Sequence, residues 1–251
     1  MQKTDIYGLG FEKLKRILIE HDFPKFRAQQ IYKWLYEKNI SDFLLMTDIA
    51  SSERVRLSEI FDIALDDNVR IFNSKKDSSS KFLLDFKGDS VESVLMRERE
   101  RTTVCLSSQT GCALKCVFCA TGKNAGRDLD TGEIIRQFAY MAHESKERIT
   151  NVVFMGMGEP LLNIDNVLMA VEILNFDKGI RIGARKITIS TAGIIPGIER
   201  LTEFPLQVKL AVSLNSAIQE KREKLMPIAK KYDLISLKKA IIKYQDAKNK
   251  R

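Results

Sequence analysis

Three of the four cysteines in this 251-residue sequence fall close together, as Cys112, Cys116 and Cys119 in the spacing C-x3-C-x2-C. Three thiolates on one loop can hold a metal centre, but they leave one position free, as in catalytic zinc sites. A [4Fe–4S] cluster bound by protein alone takes four cysteines, so a cluster held by three keeps one iron open. The triplet therefore predicts an open, reducible iron centre at which a small molecule could bind and accept an electron.

Two other interpretations of these cysteines compete with the cluster. Free cysteines can be small buried hydrophobic residues, although Gly111 and Gly122 bracket the triplet and indicate a loop. Cys105 could instead complete a structural zinc site. Such sites usually combine two C-x2-C pairs, and this chain has one. Zinc therefore stays an alternative to the cluster.

The residues around the triplet resemble a known signature. C-x3-C-x2-C with Phe118 before the last cysteine resembles the signature of radical S-adenosylmethionine (SAM) proteins. The lead-in from Cys105 to Cys112 (Cys-Leu-Ser-Ser-Gln-Thr-Gly-Cys) resembles that of the RlmN/Cfr family of ribosomal RNA adenine methyltransferases, from about Phe11 to the C-terminus. The resemblance implies SAM and a [4Fe–4S] cluster as cofactors. It also implies methylation of adenine C2 in 23S rRNA and tRNA, the dual-specificity type.

The resemblance also implies roles for individual residues. Cys112, Cys116 and Cys119 would bind the cluster. Residues 155–160 (Met-Gly-Met-Gly-Glu-Pro) resemble the family's GEP motif, in which Gly158 and Glu159 would hold the amino group of SAM. Further SAM contacts would come from Ser190, Ser213, Leu214 and Asn215, although many family members carry His where Asn215 stands.

Glu92 and Cys105 are the candidate catalytic residues. Glu92 shares a strand face with Val94 and Met96, and a carboxylate on a partly apolar surface is prepared to accept a proton near neutral pH. From spacing alone, a solvated acid near a hairpin turn explains Glu92 as well. The resemblance implies that Glu92 removes the C2 proton. It implies that Cys105 releases the product by forming a disulfide with a methyl-carrying cysteine.

The sequence departs from the family pattern at this methyl carrier, because no cysteine follows Cys119. We therefore expect a C-terminally truncated record of a longer protein. The alternatives are a catalytically incomplete iron–sulfur or zinc remnant that binds RNA, and a C8-methylating or other radical SAM enzyme.

Hydrophobic periodicity predicts an α/β protein in three parts. Residues 1–66 are predicted to form a helical RNA-docking domain, and residues 67–103 a β-hairpin connector with a turn at Lys87 to Asp89. In residues 104–251, alternating strands and helices predict a partial radical SAM (βα) barrel with parallel strands, about four of six βα units. In such barrels the functional residues lie at the carboxyl ends of the strands.

Local signals refine this expectation. Lys25, Arg27 and Lys33 are predicted to contact phosphate, whereas the neighbouring Tyr32 and Trp34 have the helical spacing of core residues. The residue types alone predict that Ser51 and Ser52 cap the third helix, and that Thr131 caps the first helix of the barrel.

Composition restricts the class of protein. The net charge of +8 favours a polyanionic partner such as RNA. No apolar run is long enough to span a bilayer, and the unevenly spaced cysteines do not predict a disulfide framework. We expect a cytoplasmic monomer without membrane contact, reduced by an external one-electron donor such as flavodoxin, the donor being implied by the resemblance.

Overall fold

The computed structural model describes residues 3–65 and 69–248. The helices are α1 (Phe11–Glu20), α2 (Arg27–Tyr36), α3 (Ser51–Ile60), α4 (Thr131–Glu144), α5 (Ile164–Asn175), α6 (Ile195–Glu203), α7 (Gln219–Leu225) and α8 (Leu234–Lys248). The strands are β1 (Thr4–Asp5), β2 (Phe61–Asp62), β3 (Arg70–Asn73), β4 (Ser80–Phe86), β5 (Asp89–Glu98), β6 (Arg101–Cys105), β7 (Asn151–Phe154), β8 (Ile187–Thr191) and β9 (Lys209–Val212).

The predicted N-terminal helices are confirmed as α1, α2 and α3. Leu14 and Leu18 are one turn apart on α1 and both are buried. Phe11 stacks on Phe176, which follows α5, with 4.7 Å between the ring centroids. The helices therefore pack directly against the rest of the chain.

A short parallel pair of strands, β1 and β2, was not predicted from the sequence. It joins the two ends of the N-terminal helical region, because Thr4 pairs with Phe61 and Asp5 pairs with Asp62. Arg136 of α4 forms ion pairs at 3.0 Å with both Asp5 and Asp62. Strands of two residues are too short to show a period in the sequence, so only the folded chain shows this connection to α4.

The expectation that Arg27 contacts phosphate is wrong. Its guanidinium is buried, where it pairs with Glu53 of α3 and donates to Gln30. It therefore joins α2 to α3, because a buried charge requires a paired and hydrogen-bonded environment. Lys25 and Lys33 are exposed, and their predicted phosphate contacts stay predictions.

Both predicted helix caps are also wrong by one residue. Ser51 is already the first residue of α3, and Ala50 precedes it without a side-chain cap. Asp130, rather than Thr131, caps α4, and with Glu133 it forms a reciprocal capping box. At the start of α4 a carboxyl and a hydroxyl residue, Asp130 and Thr131, are adjacent, and the local backbone decides that Asp130 accepts the bond.

Strands β3 to β9 form one seven-stranded sheet in chain order. The pairs from β3 to β6 are antiparallel, and the pairs from β6 to β9 are parallel. The predicted hairpin is confirmed in β4 and β5, which are joined by Lys87 and Gly88, both with positive φ. The predicted boundary between residues 103 and 104 falls inside β6, and the division into domains stays a prediction.

The predicted βα units are confirmed, with α4, α5, α6 and α8 following β6, β7, β8 and β9. The sequence did not predict α7, a seven-residue helix between β9 and α8. None of the helices in the described ranges combines the length and the apolar composition needed to cross a bilayer.

The two faces of the sheet differ in burial. Leu95, Val104, Val152 and Ile189 are fully buried on the face that the helices cover. Residues of the opposite face are half-buried or exposed, and we call this face the open face. By strand register it comprises Arg70, Phe72, Lys81, Leu83, Glu92, Val94, Met96, Thr103, Cys105, Asn151, Val153, Thr188 and Ser190.

Candidate active site

A cavity of about 310 Å³ lies at the carboxyl ends of the parallel strands, where barrel proteins place their functional residues. The predicted site residues among its lining are Cys112, Cys116, Cys119, Gly158, Glu159, Ser190 and Ser213. Residues from the loop after β6 and from the ends of β7, β8 and β9 therefore meet in one place, although they are up to about a hundred positions apart in the sequence.

The cysteine loop is held by backbone contacts. The Cys112 amide donates to the Asn124 carbonyl at 2.8 Å, and the Val117 amide donates to the Leu225 carbonyl of α7 at 3.0 Å. Gly111 is required by this packing, because a Cβ there would lie 2.4 Å from the Asn124 carbonyl oxygen. The bracketing glycine thus allows the loop to close on itself beneath the thiols.

The three thiols face the same cavity. Burial raises the pKa of Cys112 and of Cys116, so both are thiols at neutral pH until a metal displaces their protons. Within residues 3–65 and 69–248, no three His, Cys, Asp or Glu side chains lie close enough together to hold a single metal ion. A [4Fe–4S] cluster does not need that arrangement, because each thiolate binds a different iron.

Glu159 lies at the wall of this cavity and is 3% exposed. Its carboxylate accepts hydrogen bonds from the backbone amides of Ala192 at 2.7 Å and Leu161 at 3.1 Å. Burial nevertheless raises the pKa of Glu159. Among the described residues no basic side chain forms an ion pair with it. A buried carboxylate without a counter-cation favours a ligand that carries one.

The glycines before Glu159 allow two strand-end loops to touch. Gly158 has a φ of +100°, and a Cβ there would lie 2.6 Å from Cβ of Gln109. The Met157 carbonyl accepts the amides of Ser108 at 2.9 Å and Gln109 at 3.2 Å. The loop after β7 is therefore fixed against the segment that leads into the cysteines.

Comparison with known proteins identifies the family of this site. The Radical SAM superfamily matches residues 106–250, and the Ribosomal RNA large subunit methyltransferase N-terminal domain matches residues 4–63. A crystal structure of a radical SAM methyltransferase from Sphaerobacter thermophilus superposes with a TM-score of 0.93 at 36% identity, covering 99% of this chain and 74% of that one.

Curated relatives agree with the structural match. The probable dual-specificity RNA methyltransferase RlmN of Thermotoga maritima is 41% identical over 247 residues, which cover 96% of this chain and 71% of the relative. The dual-specificity RNA methyltransferase RlmN of Geobacter sulfurreducens is 43% identical over 93% of this chain and 64% of its own length. The chain belongs to the RlmN family of radical SAM proteins.

The RlmN-family site does not bring all the predicted SAM contacts to the cavity wall. Ser190 and Ser213 line the cavity, but Leu214 and Asn215 are not part of its lining. The Leu214 carbonyl accepts Nε of Arg222 at 3.2 Å, and Asn215 has a φ of +56° and contacts the sulfur of Met226. Their predicted roles stay predictions.

Glu92 and Cys105 lie beside the cavity, on the open face. Cys105 pairs with Val94, two residues from Glu92, so Cys105 and Glu92 occupy diagonal positions on the same face, whose backbone spacing is about 7–8 Å. Glu92 shares the open face with Val94 and Met96, as predicted, but its carboxylate is solvated rather than buried against them. Its side chain is 48% exposed and forms an ion pair with Lys81 at 2.9 Å. Burial raises the pKa of Cys105, so its thiol is protonated at neutral pH.

A buried polar framework supports the RlmN-family site and was not predicted. Gln137 of α4 accepts from Ser93 at 2.6 Å and from the Ser107 amide at 2.8 Å, and donates to the Ser107 carbonyl. The Gln109 amide oxygen accepts the Glu159 amide at 2.8 Å. The Ser-Ser-Gln lead-in was visible in the sequence, but its structural role required these partners from α4 and the β7 loop.

Arg222 of α7 is a second residue that the sequence did not indicate. It is 1% exposed, and it donates to the carbonyls of Ala192 and Leu214, one in each of the loops that follow β8 and β9. Burial lowers the pKa of Arg222, and the nearby Cys116 opposes that shift. Because α7 was not predicted, an arginine in a charged segment gave no signal of burial.

Proposed function

We propose that this chain binds a [4Fe–4S] cluster and SAM in the cavity and acts in radical methylation of adenine C2 in RNA. The substrates we propose are 23S rRNA and tRNA, in line with the names of the RlmN relatives. The observation that carries the proposal is that three thiols surround one cavity together with the buried Glu159, which forms no ion pair among the described residues.

The residues present fit both groups. Three thiolates leave one iron of a [4Fe–4S] cluster open. The Glu159 carboxylate, fixed by two backbone amides, would hold the SAM ammonium. Ser190 and Ser213 offer hydroxyl groups on the same wall. When bound, the cluster supplies the electron that cleaves the SAM sulfonium.

Glu92 and Cys105 are proposed to act on the RNA side. We infer that Glu92 accepts the C2 proton of the adenine, for which its carboxylate must exchange Lys81 for the substrate. Its amide and carbonyl are held by Met157 and Ser107, so the backbone of this base is anchored to the cavity loops. Cys105 lies on the same face and would release the methylated product from the protein. Burial raises the pKa of its thiol, so the thiol stays protonated before that step.

The proposal also includes an electron donor, a cellular compartment and an oligomeric state. The chain would act as a cytoplasmic monomer and take its electron from an external donor such as flavodoxin. The 251 residues contain no counterpart of the family's methyl-carrying cysteine. Cluster assembly and SAM binding are therefore the properties to measure on this chain.

The test is anaerobic reconstitution with iron and sulfide, followed by titration with SAM. Wild type should bind about four irons per chain, and Cys112→Ala should lose the cluster absorption. Cys105→Ala is the matched control, because it removes a thiol beside the cavity that is not a proposed cluster ligand. Glu159→Gln should keep the iron and lose SAM affinity.

Two outcomes would contradict the proposal. One tightly bound zinc with no iron would exclude the cluster. Equal loss of metal from Cys105→Ala and Cys112→Ala would make Cys105 a ligand, as in the zinc alternative.

A further inference from the structure

An exposed aromatic ring lies on the open face at the edge of the sheet. Phe72 of β3 is 50% exposed, and all four residues of β3 are exposed. Natural proteins usually protect sheet edges with charged residues rather than aromatic ones. An exposed phenylalanine at this position therefore suggests a surface that a partner covers.

Phe72 is aligned with the proposed base of the reaction. It pairs with Lys81 of β4, and Leu83 of β4 pairs with Glu92 of β5. Neighbouring strands are about 4.8 Å apart, so β3 and β5 are separated by about 10 Å. Successive bases of a single strand can stack on protein side chains along such a surface.

The charges between the ring and the base suit a phosphate backbone. Lys81 lies between them, with Nζ 5.4 Å from the ring centroid of Phe72 and 2.9 Å from the Glu92 carboxylate. Lys75 and Lys76, in the loop after β3, are exposed and form no ion pair among the described residues. The nearby Asp77 carboxylate accepts hydrogen bonds from Ser79.

We propose that Phe72, Lys81 and the Lys75-Lys76 loop form a docking platform for single-stranded RNA that flanks the target adenine. The flanking base stacks on Phe72, and the lysines contact its phosphates. This assignment rests on the proposed function, because it takes Glu92 as the point that the adenine must reach. RNA is favoured over a protein strand because the ring lies on the same face as Glu92 and the chain carries a net charge of +8.

The test is the affinity for an unmodified 23S rRNA transcript, measured with the chain at fixed salt. Phe72→Ala should weaken binding about 5- to 100-fold, the range for loss of one base stack. Ile71→Ala is the matched control, since Ile71 neighbours Phe72, is 39% exposed and points to the opposite face; it should change affinity less than about twofold.

Two further variants separate stacking from general hydrophobicity. Phe72→Trp should retain affinity, whereas Phe72→Leu should lose most of it. Replacing Lys75 and Lys76 together by Met should reduce the salt dependence of binding, because fewer counterions are released.

Several results would overturn the platform. These are equal affinity of wild type and Phe72→Ala, an equal loss in Ile71→Ala, or full retention in Phe72→Leu. A dimer that dissociates on Phe72→Ala would show that a second copy of the chain covers β3 instead. Failure of the proposed function is distinguishable, since it would appear as absent iron or SAM binding in wild type, whatever the RNA affinity.

Discussion

The two carboxylates assigned to the reaction lie in contrasting regions. Glu159 is 3% exposed, is held by backbone amides and has no ion pair among the described residues. Glu92 is 48% exposed and paired with Lys81. The cavity end of the sheet is thus built from buried backbone and amide contacts, whereas the open face presents solvated charges.

This difference matches what each region must recognise. A small cationic ligand is best held by a fixed, desolvated carboxylate, because charge interactions are stronger away from water. A large polyanion is bound better by exposed lysines and aromatic rings, which lose their hydration only when the polyanion binds. Substitutions should therefore affect stability strongly at the cavity and weakly on the open face.

Gly158→Ala, at the cavity, is expected to cause the largest loss of folding stability. A Cβ there would lie 2.6 Å from Cβ and 2.8 Å from the amide of Gln109, at a φ of +100°. Overpacking and left-handed strain together should lower the free energy of unfolding by about 3 kcal/mol. Urea denaturation measures this loss.

Two glycines serve as controls for that loss. Gly183 has no neighbour within 4 Å and no left-handed φ, so Gly183→Ala should change stability by less than about 0.5 kcal/mol. Gly88, in the hairpin turn, has a φ of +87° but open space around it, so Gly88→Ala should cost about 1 kcal/mol. Equal losses at Gly158 and Gly88 would mean that packing at the cavity contributes nothing.

A smaller loss is expected from Gln137→Leu. Gln137 is fully buried, and its amide bonds Ser93 and the backbone of Ser107, which would be left without partners. The cost should be about 2 kcal/mol in urea denaturation. Gln207→Leu, which removes an amide bonded to Arg185 at the surface, is the control and should be close to neutral. Similar values for both variants would contradict the buried framework.

The third expected effect concerns pH. Burial raises the pKa of Glu159 above its ordinary value of 4.5, so the folded chain holds this proton more tightly than the unfolded chain. The metal-free wild type should therefore lose stability relative to Glu159→Gln as the pH rises from about 4.5, because a buried carboxyl must then ionise. Denaturation of both proteins at several pH values checks the sign. A constant difference across pH would show that Glu159 ionises as freely as in the unfolded chain.

Glu92→Gln, on the open face, is expected to cause the smallest change in folding stability. An exposed ion pair contributes little, so the free energy of unfolding should change by less than about 0.5 kcal/mol. SAM affinity should also be unchanged, because Glu92 does not line the cavity. A loss of several kcal/mol would remove the contrast between the two carboxylates.

Residue spacing predicted the elements of this fold with fair accuracy. The sequence predicted the buried apolar positions of α1, the alternation of apolar and polar residues in β4, and the βα series. Each of these elements must bury one face, and this gives its sequence a period. The sequence did not predict the helix caps at Ala50 and Asp130, the pairing of β1 with β2, or α7. Short elements carry too few residues to show a period, and at the start of α4 two neighbouring polar residues, Asp130 and Thr131, compete for the same cap.

For the site, the sequence by itself determined which donors exist: three closely spaced thiols, the glycine-rich stretch before Glu159, and a net positive charge. Only the tertiary structure decided their surroundings. It buried Arg27 and Arg222, exposed Glu92, and gave Glu159 no counter-cation from the part of the chain that the structure describes. Burial and ion pairing depend on residues distant in the chain, such as Gln109, Ala192 and Lys81, and spacing within one segment cannot encode contacts that form only when separate strands and loops meet.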